Sequence, residues 1–406
     1  MSGFGERALH HVDLATPLSD DDDKESSASE ATAPASAPPR VGFLGLGNVG
    51  SRNVLALLHA GVVPVIFDRE REKVERLSRR GATPAASLAE LARACDVVFT
   101  SLPNTTPAIV RDVVLGADAD GAAAANGDGD GDGLLACLRA GSLLVEMSTN
   151  APDEMAAFAA ACAARGVGFI DAPVNAASIG ARCRSGTGLL ALMVSGPAAL
   201  VARALPLLRP LADEVIVCGE TVGQASTCKL IHNAVNAVAC AAVGEALPCG
   251  VKLGVDLAVL VRCLQTGGFG LNAGDVHGVQ HYWLSRRFED ETRLPGFRAE
   301  LLQKDLRLAV AVADDAGAPM PLVRAAKANF DEAEARGWAG RACTVVRALQ
   351  EERAGSGPLT LPLGDGERAR MLRAACQLDV LEYDDTALDA FAKMLDEARG
   401  PSKLSH

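Results

Sequence analysis

From Val41 to Gly219 short apolar runs alternate with stretches whose apolar positions recur every three or four residues. The runs VGFLGL (41–46), VVPVIFD (62–68), DVVFTSLP (96–103), SLLVEMS (142–148), VGFIDAP (167–173), LALMVSG (190–196) and DEVIVCG (213–219) predict strands. Pieces between them, such as EKVERLSRRG and PDEMAAFAAACAARG, predict amphipathic helices closed by a glycine. Strands apolar at nearly every position are covered on both faces, so the alternation predicts a parallel, doubly wound α/β sheet. After Val222 the strand pattern stops. QASTCKLIHNAVNAVACAAVGEALPCGVKLG and RAELLQKDLRLAVAVADDAG read as helices, so an all-helical C-terminal domain follows the sheet.

The boundaries expected from this pattern are an acidic, disordered tail over 1–39, a sheet domain over 40–221, a helical domain over 222–352 and an extension over 353–406. The tail combines the run Asp20 to Asp23 with Ser, Ala and Pro and has neither hydrophobic period. A second low-complexity piece, 117–133, interrupts the sheet domain as ADADGAAAANGDGDGDG. It lacks the closing Glu of a calcium loop and reads as a solvated insertion. The Gly/Pro-rich break AGSGPLTLPLGDG opens the extension, which ends in one or two helices.

Composition narrows the function. Against 51 acidic residues the chain sets 39 Lys and Arg, a net charge of −12, and aromatics make up only 4%. Neither a phosphate-neutralising groove nor base-stacking platforms follow from that, so nucleic acid is not an expected partner. No apolar stretch of spanning length escapes a charge, Pro or Asn, and no membrane association is expected. The 11 cysteines form no C-x-x-C pair and read as reduced thiols. With an acidic amino-terminal region unlike a transit peptide, a cytoplasmic location is expected.

The first predicted strand runs into Gly45, Leu46, Gly47, Asn48, Val49 and Gly50, and a helical pattern starts at once. In G-x-G-x-x-G the first glycine permits the tight turn, the second lets backbone approach a pyrophosphate, and the third lets helix pack on strand. Asp68 closes the second strand 18 residues beyond Gly50, where an acid can accept from the ribose hydroxyls. The sheet is therefore read as a Rossmann-type dinucleotide fold. Asp68 favours NAD, while Arg69 beside it could pair with a 2′-phosphate and keeps NADP as the alternative.

In the helical segment from Val222 to Leu247, Lys229 and Glu245 are the charged side chains among Ala, Val, Leu, Cys, Asn and Gly. A lysine in a helix apolar all round is buried for a task or snorkels to the domain surface. Asn233 lies one turn on, and Asn236 and Cys240 continue the same face, so ammonium and amide can converge. Burial would lower the lysine pKa toward neutrality, where it can give or take a proton at a substrate oxygen. His232 points about 100° away and reads as a core or solvent histidine. His277 and His281 share a helical spacing without a third ligand, so no metal is expected.

The ordered motifs VGFLGLGNVGSRNVLALLHAG, DVVFTSLPN, VEMSTNAP, FIDAPV, GQASTCKLIHN and LPGFRAELLQKDLRLA resemble the β-hydroxyacid dehydrogenase family over about Arg40 to Glu352. The resemblance is to its 3-hydroxyisobutyrate dehydrogenase-like members, with a 6-phosphogluconate dehydrogenase-type NAD(P)-binding domain. It implies that Lys229 is the acid/base, that Asn233 positions substrate, and that Lys304 lies near the nicotinamide with Phe297 beside it. It also implies that Leu102, Pro103, Ser148 and Thr149 line the cleft, and that the subunits form a homodimer or homotetramer. One departure stands out. Where relatives carry DAPVSGG, this chain has Asp171-Ala-Pro-Val174-Asn175-Ala176-Ala177, so the carboxylate-gripping loop presents an amide side chain and two added methyl groups. A second is His232, where an asparagine is common.

The expectation is an NAD(P)-dependent oxidoreductase that interconverts a small 3-hydroxyacid carboxylate and its semialdehyde or keto form. The altered loop favours, as competitor, an imine or bulkier carbonyl reductase. A catalytically silent cofactor-binding protein is the alternative from another class, against which the retained Lys229 and Asn233 speak.

Overall fold

The structure, a computed structural model, describes residues 38–103, 107–116, 133–175, 190–266, 297–359 and 385–399. The acidic tail through residue 37, the Asp/Gly insertion over 117–132, Ala176, Ala177, His277, His281 and residues 360–384 lie outside the described residues.

Among the described residues nine strands form one sheet: β1 Val41–Leu44, β2 Val65–Phe67, β3 Thr83–Pro84, β4 Val97–Thr100, β5 Leu143–Glu146, β6 Gly168–Asp171, β7 Val174–Asn175, β8 Leu190–Ser195 and β9 Ala212–Gly219. Their order is β3-β2-β1-β4-β5-β6-β8-β7, with β9 also on β8. The pairs from β3 through β6 are parallel, as the apolar runs predict. β8 departs from that pattern, since it runs antiparallel to β6 and β7 and parallel to β9. The sheet is thus mostly parallel. β3 escapes the sequence pattern because it is two exposed residues, one of them proline.

Alternation along the strands divides the core. Phe43, Val97, Phe99, Leu143 and Val145 enter one cluster, while Leu44, Val98 and Leu144 enter the other. Both faces are therefore sealed by helices: α1 Asn48–His59, α2 Arg71–Ser78, α3 Leu88–Ala94, α4 Pro107–Leu115, α5 Leu134–Cys137, α6 Pro152–Ala164 and α7 Ala198–Leu208. Local chemistry sets their ends. Ser87 accepts from Glu90 N at 3.1 Å while the Glu90 carboxylate accepts from Ala86 N at 2.6 Å, a reciprocal cap for α3. Pro152 opens α6 with Asp153 and Glu154 in its first turn, where the helix dipole favours them.

Next come α8 Gln224–Lys252, α9 Leu257–Thr266, α10 Ala299–Asp315, α11 Pro321–Ala335 and α12 Val346–Ala354. Leu230, Ala234 and Ala237 of α8 pack with Leu302, Leu306, Phe330, Val346 and Leu349 in a separate core. By length and composition alone α8 could cross a membrane, and it packs along α10, α11 and α12.

The last described helix, α13 Asp385–Arg399, returns to the sheet domain. Its Leu388, Phe391 and Leu395 join the core cluster beside α1. The Arg52 guanidinium sits 5.7 Å from the Phe391 ring centroid, and Arg80 pairs with Asp385 and Asp389, each at 2.6 Å. An independent terminal extension is the simpler reading of the chain, but burying three apolar residues of an amphipathic helix requires a partner, and α1 supplies it.

Candidate active site

At the end of β1 the chain turns through Gly45, whose φ of 90° is left-handed and whose added Cβ would lie 2.3 Å from the Ser101 carbonyl oxygen. A Cβ on Gly50 would lie 1.9 Å from the Gly45 oxygen. Neither position admits a side chain. Gly47 caps α1 in extended conformation, with no side-chain hydrogen bond on the cap and no acidic residue in the first turn. The first amides of α1, through Asn48, Val49 and Gly50, are thus left to an outside anion, which is what a pyrophosphate requires. The buried, unpartnered Oδ1 of Asn48 lies in the same turn.

Asp68 does more than the spacing suggests. Its Oδ2 accepts from Leu46 N at 2.7 Å and its Oδ1 from Glu70 N at 2.9 Å, so the carboxylate ties the glycine loop to the start of α2. Each oxygen keeps a lone pair for a ribose hydroxyl. Arg69 is exposed beside it.

The carboxyl ends of the parallel strands carry a buried row, Thr100, Glu146 and Asp171, aligned across β4, β5 and β6. Ligands of open α/β sheets bind outside these ends. Glu146, which sequence reasoning missed, accepts from Thr100 Oγ1 at 2.5 Å and Ser148 N at 2.7 Å, and burial pushes its carboxyl above the usual range. Ser148 Oγ in turn accepts from Leu102 N at 3.0 Å. The two loops that carry Leu102, Pro103, Ser148 and Thr149 are therefore locked together.

Asp171, also missed as a site residue, holds the start of α8. It accepts from Gly223 N at 3.1 Å, Ser226 N at 2.9 Å, Ser226 Oγ at 3.0 Å and the Ser195 hydroxyl. One turn farther on, Lys229 is buried, with Nζ donating to Asn175 Oδ1 at 2.8 Å. Burial lowers its pKa from 10.5 to about 8, opposed by the Asp305 carboxylate and reinforced by Lys304. That places its proton exchange within reach of neutral pH.

Asn233, one turn beyond, donates to Asp305 Oδ2 at 2.6 Å. Asp305 lies 2.9 Å from Lys304 Nζ, both within 3% exposure, and Lys304 donates to the Thr149 carbonyl at 2.6 Å. This chain of polar groups joins the sheet domain to the helices. His232, expected as a bystander, is exposed but places Nδ1 3.1 Å from Asn233 Oδ1, bracketing that amide opposite Asp305. Asn236 is exposed, so the buried polar face of α8 stops at Asn233. Phe297 packs on the helical core, its carbonyl accepting from Cys343 N at 2.8 Å, and so is placed by apolar packing and its backbone.

Comparison with known proteins matches the two halves separately. The family model described as the NAD binding domain of 6-phosphogluconate dehydrogenase fits residues 40–219. The one described as NAD-binding of NADP-dependent 3-hydroxyisobutyrate dehydrogenase fits residues 223–349. The chain is 32% identical over 290 residues to 3-hydroxyisobutyrate dehydrogenase of Pseudomonas aeruginosa, covering 71% of this chain and 90% of that one. It is 28% identical over 320 residues to 2-(hydroxymethyl)glutarate dehydrogenase of Eubacterium barkeri, covering 78% and 96%. Among solved structures it resembles 3-hydroxyisobutyrate dehydrogenase of Salmonella typhimurium with TM-score 0.62 and 26% identity, covering 76% of this chain and 99% of that one.

Proposed function

This chain belongs to the β-hydroxyacid dehydrogenase family and is an NAD(P)-dependent dehydrogenase acting on CH–OH groups, and from that premise we propose that it interconverts a small 3-hydroxyacid and its semialdehyde. The observation that carries this reading is Lys229: buried, held by Asn175, and with a pKa lowered to about 8.

Oxidation needs a base at the hydroxyl and reduction an acid at the same oxygen. Lys229 fills both roles, taking the hydroxyl proton in one direction and protonating the nascent alkoxide in the other. Asn233 can orient that oxygen because Asp305 and His232 hold its amide from both sides. The nicotinamide, when bound, accepts or supplies the hydride. The loop from Gly45 to Gly50 would hold the pyrophosphate on the uncapped start of α1, and Leu102, Pro103, Ser148 and Thr149 would line the cleft beyond it. Lys304, tied to Thr149 and paired with Asp305, would lie near the nicotinamide, as the family resemblance implies, with Phe297 beside it. The expected ligand is an anion despite the chain's net charge of −12, and the Asn175 amide beside Lys229 would contact its carboxylate. Asp68, with Glu70 following it, would repel a 2′-phosphate, which supports NAD over NADP.

Reduced-cofactor absorbance across a panel of short 3-hydroxyacids and semialdehydes tests the reading. Turnover of at least one acid substrate is expected. Hydride transfer confined to imines or uncharged ketones, or cofactor binding with no turnover on any member, would overturn it.

A further inference from the structure

Two thiols meet at the foot of α8. Cys218 lies one residue before the end of β9 and Cys228 in the second turn of α8, ten positions on in the chain. The link between them folds back on itself: Gln224 Oε1 accepts from Thr221 N at 3.0 Å and lies so close over Gly219 that an added Cβ there would sit 2.0 Å from it. The first turn of α8 thus faces the end of β9. Cys228 follows Gln224 by four positions on the same helix face, and a helical side chain covers the turn before its own Cα. That brings the two thiols into hydrogen-bond contact. Cys228 is exposed and Cys218 half-buried, so a solution reagent reaches the pair through Cys228.

Lys229 is the next residue, its side chain turned about 100° away around the helix. The turn before it is pinned to the sheet, since Asp171 accepts from Gly223 N and Ser226 N while Ser195 Oγ accepts from Ala225 N at 2.9 Å. A covalent pull at Cys228 therefore acts on the segment that sets the lysine.

We propose that Cys218 and Cys228 form a reversible dithiol–disulfide site that takes a low-molecular-weight disulfide as its oxidant and, when closed, draws Lys229 out of its productive position. The Cys228 thiolate attacks one sulfur of RSSR and expels RS⁻, leaving a mixed disulfide; Cys218, its proton lost to solvent, then attacks the Cys228 sulfur and expels the second RS⁻. Two protein thiols are oxidised to one S–S bond, the two RS⁻ groups take up the two protons as RSH, and a reducing dithiol runs the sequence backwards. Burial pushes the Cys218 thiol up to about 12, with Cys228 adding to the rise, so Cys218 is the resolving sulfur and closure quickens with pH. An S–S bond is about 2.05 Å long, shorter than any hydrogen-bond contact between sulfurs, so closure draws the second turn of α8 toward β9. A proton-transfer geometry misplaced by about 1 Å loses on the order of a hundredfold in rate. The effect on turnover rests on Lys229 as acid/base; formation of the bond does not.

The test equilibrates the full-length enzyme with oxidised and reduced glutathione at a series of ratios, assays hydroxyacid oxidation, then alkylates and digests with trypsin. Cleavage after Arg203 and Lys229, with the Arg209–Pro210 bond resisting, gives one peptide that holds both thiols and no other cysteine. The internal bond reads as that peptide unalkylated and lighter by two hydrogens. As the ratio becomes oxidising the peptide should convert and kcat should fall about tenfold to a hundredfold, with cofactor affinity unchanged, and dithiothreitol should restore both. Cys218→Ser and Cys228→Ser should match reduced wild type and keep their turnover under the same oxidant, which separates this pair from the chain's other cysteines. Both thiols alkylated at every ratio, a glutathione adduct on Cys228 that never closes, a closed pair with undiminished turnover, or equal inactivation of either serine variant overturns the inference. Reduced Lys229→Ala keeps the failures apart. If it is inactive while the closed wild type is fully active, the thiol site loses its role and the acid/base reading stands; if it turns over as wild type, the acid/base reading falls and takes the proposed effect on turnover with it.

Discussion

Asn233 and Asp305 lie 72 positions apart and are joined by a 2.6 Å hydrogen bond in which neither partner is more than 3% exposed. Because a carboxylate accepts only, the bond fixes which end of the Asn233 amide faces α10. The same carboxylate is the counter-charge of buried Lys304. Geometry of the substrate oxygen and folding of the helical domain thus depend on one acid.

Asp305→Ala should accordingly cost stability as well as activity. Removing one member of a buried pair leaves the other charge uncompensated, a loss of about 3–5 kcal/mol. Urea unfolding measures it, and Asp305→Asn, which keeps one acceptor for Asn233, should lose less. Equal unfolding midpoints for wild type and Asp305→Ala would contradict the pairing.

Lys229 should be a cost to the fold. Its pKa is lowered from 10.5 to about 8, so the folded state disfavours the charge that the unfolded chain carries. Below about pH 8 both states hold the proton and the penalty is full; from pH 8 to 10.5 the folded state has released it while the unfolded state still binds it, so stability from this group rises with pH. Lys229→Met should therefore unfold at a higher temperature than wild type at pH 7, with the advantage shrinking toward pH 10. An advantage that grows with pH would contradict the burial account.

Gly50→Ala should fold and lose the cofactor. Its Cβ would sit 1.9 Å from the Gly45 oxygen, so the loop must open and the α1 amides must turn from the phosphate. At a hundredfold excess of cofactor over Kd the wild type should gain about 2.7 kcal/mol in unfolding stability. The variant should gain none, as read by thermal unfolding with and without NAD and NADP.

Phe391→Ala should weaken the nucleotide fold from a distance. The ring is 4% exposed, packs in the core beside α1 and lies under the Arg52 guanidinium. Truncating such a ring costs about 3–5 kcal/mol. Denaturant unfolding of the full chain checks it, and a loss below 1 kcal/mol would mean that α13 only rests on the surface.

What is legible in the chain follows how far apart the interacting residues lie. The glycine loop is local, so Gly45, Gly47 and Gly50 identify themselves by spacing, and the apolar runs beside them mark the strands. Lys229 is visible because charged side chains are rare along its helix. Glu146, Asp171 and Asp305 are not visible in this way. Each bonds to groups 46, 55 and 72 positions away, respectively, and a carboxylate's value to a site depends on partners that only the fold brings near. The double use of Asp68 and the contact of His232 with Asn233 depend on side-chain direction, which the helical wheel gives only coarsely. The antiparallel turn of β8 is hidden too, because its run LALMVSG reads the same in either direction.

Turnover of Lys229→Ala, with cofactor affinity measured on the same sample, tests the central claim most directly. A positioned acid/base contributes about 10²–10⁴-fold to such a reaction, so oxidation of the best hydroxyacid should fall by that factor while NAD or NADP binds as in wild type. Wild-type turnover in Lys229→Ala would contradict the account.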